Sequence, residues 1–129
     1  MWFRCAVLFA ALSFPLLAAD EAVVRALPIK LERKEATGTV DKPTVIASAA
    51  QLSKAIPEKD VQARVAKEVD FSKQQVLFFA WTGSGTDKLT PKAEGNKVVF
   101  QYAPGVTDDV ARHFKLFVLA KDATWKVAR

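Results

Sequence analysis

The stretch Val76-Leu77-Phe78-Phe79-Ala80-Trp81 decides the fold. Successive residues of a strand point to opposite faces, so an unbroken apolar run puts apolar side chains on both. Such a strand is central in its sheet and covered on both sides. The segment ahead of it reads as helix. Val61, Val65 and Val69 recur every four residues, with Lys59, Asp60, Gln62, Lys67 and Glu68 mostly elsewhere around the axis. That is an amphipathic helix laid on a sheet. Before Pro57, Leu52 and Ile56 share one face of a shorter helix. Ser48-Ala49-Ala50-Gln51 fits a capping box at its start, in which the serine hydroxyl takes a free amide and the glutamine reaches back. Thr44-Val45-Ile46-Ala47 ahead of it is a short strand candidate.

After the apolar run the chain reads as strands joined by turns. Residues 88–92 form a short strand weakened by Pro91, and Glu94-Gly95-Asn96 is a hairpin turn. Residues 97–102 alternate, with Val98, Phe100 and Tyr102 on one face. Thr107-Asp108-Asp109 suits the cap of a single helical turn. Residues 113–120 form a further strand with Phe114, Leu116 and Val118 facing one way, and 124–127 a last one with Trp125 and Val127 inward. Upstream, Leu27, Ile29 and Leu31 alternate with Pro28, Lys30 and Glu32. Pro28 has no N–H to donate, which makes this an edge strand. Residues 35–43 read as a linker. The pattern predicts an α+β domain, an antiparallel sheet of about five to six strands with one or two short helices packed on one face.

The first nineteen residues set a location. Arg4 precedes an apolar run from Cys5 to Ala19, and Asp20-Glu21 comes next. A basic start, a short apolar core and small residues before a polar start predict a secretory signal peptide. The run is shorter than the roughly 20 residues that cross a bilayer. Cys5 opens the apolar core instead of ending it, so it does not fit a lipid anchor. The expected division is signal peptide 1–19, an extended segment or linker 20–43, and one α+β domain 44–129, placed in the periplasm or medium. Removing residues 1–19 from 129 leaves 110, enough for one domain. It also removes Cys5, the one cysteine, so neither a disulfide nor thiol chemistry remains. With Arg4 gone, 18 Lys and Arg stand against 14 Asp and Glu, a net charge of +4. The charges alternate in sign, as in Glu58-Lys59-Asp60. No basic run is interleaved with aromatics, so a nucleic-acid partner is not expected.

The candidate site is the glycine-rich loop after the central strand. Trp81, Gly83, Ser84, Gly85 and Asp87 are its binding residues. A phosphate loop would need Gly-x-x-x-x-Gly-Lys-Ser/Thr opening a helix, and here a strand comes next. The plainer reading is a hairpin connection whose glycines permit positive φ. Phe79, Trp81 and Tyr102 suit a core or a ligand groove, with Trp81 beside the loop. Ser84, His113 and Asp87 or Asp108 are the residue types of a serine hydrolase, but the Gly-x-Ser-x-Gly elbow is absent and no catalytic residue is expected. His113 is the single histidine, too little for zinc. Asp87, Asp108 and Asp109 lack the spacing of a calcium loop. No cofactor or metal is expected.

The span Val69-Asp70-Phe71-Ser72-Lys73-Gln74-Gln75-Val76-Leu77, with the strand and glycine-containing loop after it, resembles the C-terminal domain of the protease-complex subunit PrcB. The resemblance covers residues 44–127 at most and is close over Asp70-Phe71-Ser72-Lys73. That family often carries a Thr-Gly-Gly-Tyr type loop where this chain has Thr82-Gly83-Ser84-Gly85. It implies an exported, β-rich, non-catalytic accessory or binding module. The expectation is therefore a binding module for another envelope or secreted protein, with no membrane span after cleavage. The alternatives are a small exported hydrolase using Ser84 and His113, and a structural envelope protein.

Overall fold

The computed structural model describes residues 23–31, 33 and 38–129, so the signal-peptide reading of 1–19 lies outside the described residues. Among the described residues, seven strands and two helices occur in the order β1 (Val24–Leu27), β2 (Thr44–Ile46), α1 (Ala49–Ala55), α2 (Lys59–Glu68), β3 (Gln74–Gly83), β4 (Lys88–Glu94), β5 (Lys97–Ala103), β6 (Ala111–Ala120) and β7 (Thr124–Ala128). One sheet has the order β1-β6-β3-β2 and is antiparallel throughout. A second sheet has the order β4-β5-β7.

The α+β class holds, with the helices on one face. The strands, however, divide between two sheets. The physical reason is in β3. Val76, Phe78 and Ala80 face a core shared with Leu52, Ile56, Val61, Val65 and Val69 of the helical layer. Leu77, Phe79 and Trp81 face a second core with Val98, Phe100 and Leu89 of the other sheet. The helices cover only one of the two apolar faces, and a second sheet covers the other. β6 serves both cores in the same way, with Leu116 and Val118 on one side and Phe117 and Leu119 on the other. Phe79, Phe100 and Phe117 meet at centroid distances of 5.0–5.8 Å.

β7 runs parallel to β5, with Val98 opposite Trp125 and Phe100 opposite Val127. After β5 the chain crosses to the first sheet for β6 and returns for β7, and two reversals restore the original direction. Gln75 braces the return turn by donating to the carbonyls of Ala120, Lys121 and Ala123 at 3.2–3.4 Å.

The local signals are met closely. Ser48 Oγ accepts from Gln51 N at 3.2 Å, while Gln51 Oε1 accepts from Ala47 N, one residue before the cap. Gly95 takes φ 62° in the two-residue β4–β5 turn. Upstream, Leu27, Ile29 and Leu31 are buried as the alternation requires, but pairing covers only Val24–Leu27. In the part expected as a linker, Val40 is buried in the second core. Among the described residues no helix is long and apolar enough to cross a membrane.

Candidate functional site

The connections 84–87 and 104–110 lie at one end of the sandwich. Gly83 pairs with Ala111 and Lys88 with Ala103, so the four strand ends meet there. Each connection carries the chain from one sheet to the other. Asp87 ties them together. Its Oδ2 accepts from Trp81 Nε1 at 3.1 Å and from the Tyr102 hydroxyl at 2.9 Å. Its Oδ1 accepts from the Gly105 N–H at 2.6 Å. The Gly105 amide above all, with Trp81 and Tyr102, holds the Asp87 carboxyl below its ordinary value against some desolvation. Burial, then Asp87 itself, pushes the Tyr102 phenol up.

Trp81 underlies the loop. It is 3% exposed, stacks on His113 at 4.7 Å and meets Tyr102 edge-on at 6.0 Å. His113 Nε2 lies 2.7 Å from the Ser84 carbonyl oxygen. A carbonyl only accepts, so Nε2 carries the proton in this contact.

Asp109 makes a second tie. Its Oδ1 accepts from the Gly85 N–H at 3.2 Å and from the Thr107 hydroxyl. The Thr107 hydroxyl first, then the Gly85 amide, lowers the Asp109 carboxyl. Since Thr107 directs its single proton to Asp109, Ser84 Oγ donates to Thr107 Oγ1, 2.5 Å away. The loops approach so closely that side chains are excluded. A Cβ on Gly83 would overlap the Asp87 carboxylate, and one on Gly105 would overlap the Thr86 and Ser84 hydroxyls. The expectation that the loop glycines serve positive φ is thus corrected: Gly38 and Gly95 hold that conformation, and Gly83 is required for close approach.

All five expected binding residues, Trp81, Gly83, Ser84, Gly85 and Asp87, fall in this cluster, but not in one role. Trp81 sits in the core and presents no face to a ligand, because Asp87 satisfies its indole N–H and His113 covers its ring. Thr107-Asp108-Asp109 caps no helix, since 104–110 is irregular chain whose polar side chains reach the other loop. Ser84 and His113 come together through the serine carbonyl, not the hydroxyl. Among the described residues no group of His, Cys, Asp and Glu could hold a metal ion. The ties of Gly105 and Thr107 to the other loop escaped the sequence reading, because nothing local links them to partners about twenty residues upstream. Val106 and Val110 also escaped it. They are 94% and 73% exposed on the pinned loop, and two valines in a polar connection were the available signal.

The Asp70-Phe71-Ser72-Lys73 segment that carries the family resemblance is a turn. Asp70 Oδ1 accepts from Ser72 N at 3.0 Å and Ser72 Oγ at 2.6 Å, and Phe71 packs on the helix-side core. No protein-family model, curated protein or solved structure matches this chain.

Proposed function

We propose that this protein is an exported, non-catalytic binding module whose two interlocked loops contact another protein. The observation that carries the reading is the pair Val106 and Val110, held out to solvent on a loop whose backbone is pinned at Gly105 and, through Thr107 and Asp109, to Ser84 and Gly85. Ordering a residue costs about 1–2 kcal/mol of backbone entropy. A loop that is already ordered presents apolar side chains to a partner without incurring this cost on binding. The resemblance to the PrcB C-terminal domain and the signal-like residues 1–19 support an accessory role outside the cytoplasm.

The hydrolase alternative needs an imidazole nitrogen against Ser84 Oγ. Here the nitrogen meets Ser84 O, and the Ser84 proton is directed to Thr107. The test is affinity capture from envelope and secreted fractions with the wild type and with Val106→Asp/Val110→Asp. Both positions are exposed, so the fold should tolerate the change. A partner held by the wild type and lost from the variant is expected. A partner indifferent to the change, or none captured, overturns the loop surface. Recovery of the protein in the cytoplasm with residues 1–19 intact overturns export.

A further inference from the structure

The edge of the four-stranded sheet is half covered. β1 pairs with β6 only over residues 116–119, while β3 pairs with β6 along its whole length. Residues 111–115 of β6 therefore have no strand beside them on the β1 side among the described residues. The ladder determines which backbone groups face that side. Ala120 N donates to Val23 O on the β1 side, and Lys121 N donates to Lys73 O on the β3 side. Both registers continue without a bulge, so even-numbered residues of β6 point their N–H and C=O toward β1 and odd-numbered ones toward β3. The amides and carbonyls of Arg112 and Phe114 thus face the uncovered side.

The gap has a specific origin. In the register of β1, Ile29 would stand opposite Phe114 and bond to it. Its N–H instead turns back to Leu27 O at 2.8 Å, and Ile29 and Leu31 go into the helix-side core. The chain leaves the ladder and a cleft of about 490 Å³ opens between residues 28–31 and the first half of β6. Lys30, Arg112 and Lys115 line it. All three are exposed, and among the described residues none pairs with an acid, the ion pairs being Arg33–Glu58 and Arg129–Asp41.

We propose that residues 111–115 of β6 take an extended acidic peptide of a partner protein as an added strand, antiparallel to β6 and in line with β1. Five residues at about 3.3 Å each give an edge of about 16 Å. Backbone groups of Arg112 and Phe114 supply the ladder bonds, and the three cations select acidic side chains. The outer edge at β4 is less suited, since it carries Pro91, which has no N–H to offer a ladder. This site goes beyond the loop-surface reading and uses different residues, so either can fail alone.

The probe is a fluorescein-labelled heptapeptide of alternating valine and glutamate, titrated with purified protein by fluorescence anisotropy. The expected result is saturable binding that is lost when glutamate is replaced by lysine. Methylating alternate peptide amides should abolish binding in one phase and spare it in the other. Arg112→Pro removes a donor that faces the open side and leaves the β3 ladder its bonds. It should weaken binding by about tenfold or more, the loss that goes with one deleted backbone bond. Arg112→Gln/Lys115→Gln, which keeps every amide, should weaken it in the same direction. Amide exchange at Arg112 and Phe114 should slow on adding peptide, and that at His113 should not change. Equal binding of the lysine peptide, no binding of either, or binding without protection at Arg112 and Phe114 overturns the proposal. So does a concentration-dependent dimer that Arg112→Pro abolishes, because the edge would then serve a second copy of the chain.

Discussion

Gly83 and Asp87 offer a double-mutant cycle whose outcome is set by the loop geometry. Asp87→Ala removes the acceptor for three donors, and the Trp81 indole N–H is then stranded in the core. Tyr102 and Gly105 are better placed to recruit water. A stranded buried donor costs about 1–3 kcal/mol and a bond to a charged group contributes about 1.5–3, so a loss of about 2–4 kcal/mol is expected. Gly83→Ala pushes a methyl onto Asp87 Oδ2, displacing the carboxylate that Trp81 and Tyr102 need. Overpacking of this kind costs about 1–3 kcal/mol. In the Asp87→Ala background the overlapping atom is gone, and the added methyl should be close to neutral. The double variant should therefore fall short of the summed single losses by about 1–3 kcal/mol. Urea titration followed by far-ultraviolet circular dichroism measures all four corners, and equal m-values establish that stability alone changed. Additivity within about 0.5 kcal/mol would refute the argument that Gly83 is glycine because of Asp87.

Three further outcomes can be checked. Asp87 titrates below its ordinary value in the folded chain, so its contribution is complete above pH about 4 and is lost as pH falls through the unfolded value toward the folded one; the acid limb of the stability curve should be shallower in Asp87→Ala, and an unchanged limb would count against its role. Arg33 meets Glu58 with two bonds of 2.6 Å and lies 5.4 Å from the Phe78 ring centroid, so Arg33→Ala should cost about 1 kcal/mol in urea titration, with Arg33→Lys recovering less than half because it lacks the fork. Deleting residues 23–31 removes buried Leu27, Ile29 and Leu31, at about 1.5–3 kcal/mol each against a total of about 5–15, and should abolish a cooperative thermal transition; a melt within a few degrees of the intact protein would show that β1 is dispensable.

The elements themselves were legible because each rests on a local rule. Val61, Val65 and Val69 read as a buried helix face by their spacing, Gly95 as a turn by its place between alternating strands, and Ser48 as a cap by its hydroxyl. The edge character of the first strand was legible too, though for an incomplete reason. Pro28 comes just after the last paired residue, but the ladder ends where the Ile29 amide turns back to Leu27. The candidate loop was found by its glycines and its place after β3, and misjudged in the role of Trp81. A tryptophan beside a loop looks exposed in one dimension. Its burial depends on His113 and Tyr102, which arrive from other strands.

By itself the sequence determined that β3 is central, because six consecutive apolar residues leave neither face to water. It also determined that helices lie on one side and turns link the later strands, because amphipathic spacing and turn residues act within a few positions. Only the tertiary structure decided that the second face is covered by a separate sheet, that β7 lies parallel to β5, and that Asp87 closes on Gly105. Those outcomes depend on which strands meet across the core. Periodicity states which side of a strand is buried and carries no information about what buries it.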